Sequence, residues 1–325
     1  MLHVYNTFYS VEKANRSITI GNFDGCHRGH QELITRAKIH AERMGLRTMV
    51  VTFEPHPRAF FAPELAARRL FSPEQKERIL EEFGVDELLI QPFDAPFSKV
   101  SHESFFSEIL ESRLGMKSLV VGDDFRFGFR RLGDTTFLVE RCRSSGAALE
   151  IVPPEVYGVE QISSSRIRRA LEACHVEPAA AMLGRPYAIE GVVESGARIG
   201  RTLGIPTANL GRVNQLVPGR GVYAGRVWLS GSFQYRPKLS TPPLESFPAV
   251  FNVGSAPTVR HEHDSTKIEA HIIDQSFGAD ELYGQDAVFF LTQFIRPEKR
   301  FGSVGELKAQ ILDDIETARR LTARD

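Results

Sequence analysis

Residues 21–31 read GNFDGCHRGHQ, a run that sets Gly21, Gly25 and Gly29 among an aspartate, a cysteine and two imidazoles, His27 and His30. Histidine rings can donate hydrogen bonds to oxyanions, and glycine lets a backbone approach a phosphate closely. The flanks give the run its setting. Ser17-Ile18-Thr19-Ile20 before it is rich in β-branched residues and reads as a buried strand, while Leu33, Ala37, Ala41 and Met44 after it recur at helical spacing. Strand, glycine loop and helix in that order place unpaired N–H groups of a helix N-terminus at the loop, which favours an anion. Cys26, His27 and His30 are also zinc-ligand types, but no second ligand pair lies at a familiar spacing. A plain glycine turn carrying incidental histidines is the remaining alternative.

Three more clusters in the first half suit an anion and a flat ring. TFEPHP (52–57) holds His56 between two prolines, a stiff turn that aims an imidazole. VGDDFRFGFRRLG (121–133) offers Asp124, Phe125, Phe127 and Phe129 beside Arg126, Arg130 and Arg131, a loop able to stack a planar ligand and grip phosphate. ISSSRIRRA (162–170) places Ser163, Ser164 and Ser165 ahead of a helix carrying Arg168. In the second half, GVVESGARIGRTLGIPTANL (191–210) has Gly196, Gly200 and Gly204 before Pro206-Thr207-Ala208-Asn209, with no Gly-Lys-Ser/Thr, so it is not a P-loop. Glu269 and His271 alternate with Ile268 and Ala270, which puts both polar residues on one side of a strand. HEHD (261–264) reads as a charged loop tip rather than a metal site.

Two folds are needed to position these groups. The 325 residues suit two domains, and a near balance of 40 basic and 41 acidic residues gives no electrostatic reason to expect nucleic acid or an anionic membrane as partner. Three scattered cysteines suit a reducing compartment, and no signal-like or membrane-spanning run is found, so a cytoplasmic protein is expected; self-association is left open. Apolar runs of strand length at 48–53, 87–93, 118–125 and 148–153 alternate with helical patterns, one signalled by Ser72, Pro73, Gln75 and Gly84. That predicts an α/β domain with a parallel sheet, ligands lying beyond the carboxyl ends of its strands. From about residue 186, strand patterns succeed one another across turns, which predicts a mostly antiparallel barrel ending in a helix from about Val304, capped by Ser303 and Glu306. The expected domains are 1–184 and 185–325, divided where Gly184 ends a helix and Pro186 restarts the chain. A proline-rich segment, 230–248, reads as a long exposed loop.

The GNFDGxHxGH loop, TFxPHP, GxDFxFGxxRxG and ISSxxIR, in that order, resemble the adenylyltransferase module of the bacterial bifunctional riboflavin kinase/FAD synthetase family. The second half resembles its kinase module, in PTAN, GVYAG, IEAHIID and FIRPEKRF. The resemblance implies a Rossmann-like nucleotidyltransferase domain that uses ATP to turn FMN into FAD, and a barrel that makes FMN from riboflavin with ATP and Mg²⁺. It places His27 and His30 on the ATP phosphates, Asn22 and Asp24 in shaping the loop, and Ser163, Ser164 and Arg168 on phosphates. His56, Asp124, Phe125 and Arg296 would meet flavin, Thr207 and Asn209 would hold Mg²⁺ and phosphate, and Glu269 would be the general base. The chain departs from the family pattern at Cys26, Ser165, Ala256 and the long 230–248 loop. A single-activity adenylyltransferase and a flavin-binding regulator are the alternatives.

Overall fold

The structure is a computed structural model describing every residue except 196–204, 206, 233–235, 256–265, 276, 278–280 and 324–325. It divides into two compact units, Met1–Ser163 and Ser164–Asp325.

The first unit runs β1 (His3–Tyr5), β2 (Arg16–Ile20), α1 (Arg28–Met44), β3 (Arg47–Glu54), α2 (Pro57–Phe61), α3 (Pro73–Glu82) and β4 (Glu87–Pro92). There follow α4 (His102–Ser104), continuing as a π-helical stretch Phe105–Arg113, then β5 (Met116–Gly122), α5 (Thr135–Ser145), β6 (Ala148–Val152) and a small hairpin, β7 (Val156–Tyr157) with β8 (Glu160–Gln161). The six longer-range strands form one parallel sheet in the order β1-β4-β3-β2-β5-β6. The chain moves from β2 through β3 to β4 on one side and resumes at β5 on the other, so the order reverses beside β2. A crevice for ligands forms at such a reversal.

Period-two patterning explains the layers. Leu119 and Val121 face the cluster with Phe105, Phe106 and Ile109, whereas Val120 faces Ala37 of α1 on the opposite side. In α1 the buried stripe is Ile34, Ala37 and Ala41, and Met44 at its end is exposed, contrary to the sequence pattern. His40 links that helix to the sheet, its ring lying 2.8 Å from Ser118 Oγ and 2.8 Å from Glu150 Oε2. Ser118 is fully buried, so this chain of groups staples layers rather than meeting a substrate. The helix start at Ser72 is as expected, with Ser72 Oγ accepting from the Gln75 amide and Gln75 Oε1 accepting from the Ser72 amide. At the opposite end of the sheet, fully buried Arg16 donates to Glu87 at 2.5 and 3.1 Å and to three backbone carbonyls.

The second unit opens with α6 (Ser164–Glu172) and α7 (Val176–Leu183), which Gly184 ends in a left-handed turn. Its strands are β9 (Tyr187–Glu194), β10 (Ala208–Gly211), β11 (Gly221–Leu229), β12 (Phe247–Ser255), β13 (Thr266–Ile272) and β14 (Asp286–Arg296). They close into an antiparallel barrel in the order β10-β13-β12-β11-β14-β9. The last helix, α8 (Val304–Thr322), lays Ile315 and Ala318 on Val222, Ala224 and Val250 of the barrel's outer face. Both α6 and α7 belong to this unit: the Gly219 amide donates to the Leu171 carbonyl, the Phe294 amide donates to Glu177 Oε1, and α7 packs on β9 and β14. The observed division thus precedes the expected 184/185 boundary by these two helices. The 230–248 segment is not wholly exposed as expected, because Leu239 and Ser246 are buried, the latter gripped by Arg226.

Candidate functional sites

In the first unit, β3, β2 and β5 are neighbours and parallel, so the loops that follow them, carrying His56, residues 21–27 and residues 123–133, emerge side by side. The middle loop turns through three left-handed residues, Phe23 (φ 49°), Gly25 (φ 76°) and Cys26 (φ 38°). Only glycine takes such a conformation freely, and the other two must be held. Asp24 does part of this, its carboxylate accepting from the Leu70 amide at 3.0 and 3.2 Å and the Phe71 amide at 3.2 Å. Gln31 Nε2 donates to the Cys26 carbonyl at 2.9 Å. Cys26 is fully buried, so its departure from the family pattern is a matter of packing.

His27 is the N-cap of α1: its Nδ1 accepts from the His30 amide at 3.4 Å. The two imidazoles stack with centroids 3.7 Å apart and planes 16° from parallel, and His30 also contacts Phe23. Two parallel rings at the positive end of a helix suit a row of phosphate oxygens. Among the described residues no group of three or more His, Cys, Asp or Glu is placed to hold a metal ion.

His56 caps α2, its Nδ1 accepting from the Arg58 amide at 3.0 Å. Phe125 is half-buried and stacks on buried Phe127, with centroids 5.4 Å apart and planes 18° from parallel, while Asp124 is exposed. Gly128 (φ 72°) anchors that loop, since a Cβ there would lie 2.6 Å from the His102 backbone. Beyond it Arg130 (φ 54°) and Arg131 (φ 59°) are left-handed. Ser163 closes the first unit; Ser164 opens α6, on which Arg168 follows one turn later.

In the barrel, strand register assembles a polar row. Glu269 lies directly opposite Asn209 on one side and Asn252 on the other, and Asn209 lies opposite Glu194. Directly paired residues share a face, and the buried neighbours Ile268, Ala270, Ala208 and Leu210 take the other. Among the described residues, Asn209 Oδ1 is buried without a hydrogen-bond partner. An orphaned carbonyl oxygen fits the ligand set of a hard cation such as Mg²⁺, and Thr207, two residues earlier, immediately precedes β10. Gly196, Gly200, Gly204, Ala256 and the HEHD segment lie outside the described residues.

Arg296 is engaged within the fold. Its Nε donates to Asp314 Oδ1 at 2.9 Å and its Nη2 to Oδ2 at 2.6 Å, clamping α8 to β14. The sequence reading missed this partner, as it missed Asn252 beside Glu269 and the two groups that hold the Asn22 carbonyl: Thr52 Oγ1 at 3.2 Å and Lys76 Nζ at 3.1 Å. The residue types alone carried no signal for any of them; alternation along FPAVFNVGS was the one local cue that Asn252 shares the polar face.

The first unit thus sets an anion-suited loop at the reversal point of a parallel sheet, and the second is a barrel bearing a carboxylate beside a buried amide oxygen. Comparison with known proteins makes this particular. The family model described as FAD synthetase matches residues 10–166, and that described as riboflavin kinase matches residues 183–322. A bifunctional riboflavin kinase/FMN adenylyltransferase of Escherichia coli K12 is 39% identical over 93% of this chain and 91% of its own length. The protein of the same description from Pseudomonas fluorescens is 37% identical over 94% of this chain and 92% of its own. A crystal structure described as a macrolide-efflux protein from Streptococcus pneumoniae superimposes with a TM-score of 0.84 at 28% identity, covering 98% of both chains. No helix among the described residues is long and apolar enough to cross a membrane. The chain belongs to the bifunctional riboflavin kinase/FMN adenylyltransferase family.

Proposed function

We propose that this chain makes both flavin cofactors: its barrel phosphorylates riboflavin to FMN with ATP, and its parallel-sheet unit joins FMN to AMP, giving FAD and pyrophosphate. The observation that carries this is the match to two different enzyme families, one over each half of the chain. Both reactions are in-line displacements at phosphorus, in which positioning and charge neutralisation do most of the catalysis. Glycines, imidazoles, hydroxyls and guanidiniums are the groups such catalysis needs.

In the first unit His27 and His30, with the α1 N-terminus and the backbone at Gly21, Gly25 and Gly29, receive the ATP phosphates. The FMN phosphate, already ionised near neutral pH, attacks the α-phosphorus, and the imidazoles stabilise charge on the departing pyrophosphate. Phe125, Asp124 and His56 line the place for the flavin. Ser163, which ends this unit, and Ser164 and Arg168, which lie on α6 of the second unit, are assigned to phosphate by the family resemblance alone.

In the barrel Glu269 takes the proton from the riboflavin hydroxyl as that oxygen attacks the γ-phosphorus. Thr207 and Asn209 would hold Mg²⁺, which neutralises charge on the phosphate oxygens. Gly196, Gly200 and Gly204, which lie outside the described residues, are assigned to the ATP phosphates by the family resemblance. Arg296 reaches flavin only with the donors its clamp on Asp314 leaves spare. The bacterial relatives and the ATP requirement fit a cytoplasmic enzyme that needs neither nucleic acid nor membrane.

The test is to incubate the purified chain with riboflavin, ATP and Mg²⁺ and separate the flavins chromatographically. Accumulation of FMN and then FAD is expected. FMN alone would show a dead adenylyltransferase site, FAD made only from supplied FMN would show a single-activity adenylyltransferase, and no turnover would favour a flavin-binding regulator.

A further inference from the structure

Lys76 on α3 stands directly behind the 21–27 loop. Its Nζ donates to the Asn22 carbonyl at 3.1 Å, and among the described residues this is its one hydrogen bond. An ammonium has three N–H donors, so two are left over. Thr52 Oγ1 already donates to the same carbonyl at 3.2 Å, so the Asn22 oxygen does not need a lysine to be satisfied. The side chain is half-buried, and burial pulls its pKa below the ordinary lysine value; Asp24, Glu54 and Cys26 oppose that fall, and Arg69 adds to it. A cation kept at this cost, with donors to spare, beneath a loop of left-handed residues calls for a role beyond packing.

We propose that Lys76 is a positioning residue for adenylyl transfer, fixing the loop through the Asn22 carbonyl and placing a fixed positive charge beneath the phosphates. The inference rests on the adenylyl-transfer reading of the first unit. Two braces act together on the loop: Asp24 accepts from the Leu70 and Phe71 amides just before α3, and Lys76 reaches back from within α3. The helix thereby grips the loop on both sides of Phe23, one of the two non-glycine residues there at positive φ. Loss of the ammonium leaves Thr52 Oγ1 as the remaining side-chain donor to the Asn22 carbonyl among the described residues, which loosens the turn that leads to His27 and His30. It also removes a charge that opposes the negative charge building on pyrophosphate as it leaves.

The test uses the full chain and its Lys76→Met and Lys76→Arg variants, with FAD formation from FMN and ATP followed across pH. Riboflavin phosphorylation in the same preparations serves as the control. Lys76→Met is expected to lower kcat for FAD by about 10²-fold, the scale of a misplaced reacting group, with a much smaller change in KM for FMN and no change in kinase turnover. The wild-type rate is expected to fall on the alkaline side as Lys76 loses its proton, in a field set by Asp24 and Cys26 of the loop, Glu54 at the end of β3 and Arg69 ahead of α3. That limb should vanish in Lys76→Met and in Lys76→Arg, the latter recovering part of the rate. A purely structural lysine would leave the pH profile unmoved. Lys76→Met activity close to wild type overturns the proposal, as does an alkaline limb that persists in Lys76→Arg, a variant that decides the matter if Lys76→Met does not fold. A wild-type chain that makes no FAD from supplied FMN overturns the adenylyl-transfer reading and the role of Lys76 with it, whereas an active wild type with an unaffected Lys76→Met overturns the role alone.

Discussion

Removing the Asp314 carboxylate, as in Asp314→Ala, should loosen α8 from the barrel. Asp314 is 4% exposed and receives three bonds from Arg296, at 2.9, 3.2 and 2.6 Å, and a fourth from Gln310 Nε2 at 3.1 Å. Breaking a buried pair by deleting one partner costs roughly 3–5 kcal/mol, because the other charge is left uncompensated. The Arg296 side chain is 19% exposed and keeps its bond to the Pro297 carbonyl, so the lower end of that range applies, about 3 kcal/mol. For a unit of this size that corresponds to a fall in Tm of roughly 6–12 °C. Trp228 offers a clean readout: it is the only tryptophan in the chain and is buried in β11, so its fluorescence follows the barrel alone. The double variant Arg296→Met/Asp314→Ala should recover most of the loss, since no buried charge is stranded. A loss below about 1 kcal/mol, the scale of an exposed ion pair, would refute the reasoning, as would a double variant no more stable than Asp314→Ala.

At the far end of the first unit, Glu87→Gln should destabilise that unit by roughly 3–5 kcal/mol near neutral pH, because it strands fully buried Arg16. Burial raises the Glu87 pKa, but Arg16 and Arg47 outweigh it and hold the group below the usual carboxylate value; its contribution is therefore complete above the unfolded pKa and lost as pH falls through the folded one. Urea unfolding of wild type and variant should converge in acid; a constant gap down to that range would contradict the assignment. For the domain boundary, a 164–325 fragment should unfold cooperatively by Trp228 fluorescence, whereas a 185–325 fragment, lacking the bonds from Leu171 and Glu177 to the barrel, should melt earlier. Equal melting points would show that α6 and α7 contribute nothing to the barrel.

Elements whose causes are local were legible in the chain itself. The Ser72–Gln75 box is a contact between residues three apart, and the alternation around Glu269 follows from strand geometry alone. Five of the six parallel-sheet strands and the barrel follow likewise from β-branched runs and turns, whereas β1, only three residues long, makes no such run. What could not be read is long-range. Arg296 lies 18 residues from Asp314, and Asn22 lies 54 residues from Lys76, so neither pairing leaves a trace in spacing. The stop at Gly184 was read correctly as a helix end, yet the compact units divide at Ser163, because docking of α6 and α7 on the barrel is a tertiary matter. His27 as the cap of α1 was also hidden, histidine being an uncommon capping residue. Leu239, in a segment dense in proline and serine, gives no local sign that it is buried.

Two sites that work separately within one chain is the central claim, and reciprocal inactivation tests it most directly. FMN formation from riboflavin and FAD formation from supplied FMN should be measured in the full chain carrying Glu269→Gln or His30→Ala. Glu269→Gln keeps the size of the side chain but cannot take the proton, so FMN formation should fall by roughly 10²- to 10⁴-fold while FAD formation continues. His30→Ala removes one oriented donor, so FAD formation should fall by roughly 10²-fold or more while FMN formation continues. Loss of both activities from either folded variant, or kinase turnover within a few-fold of wild type in Glu269→Gln, would contradict it.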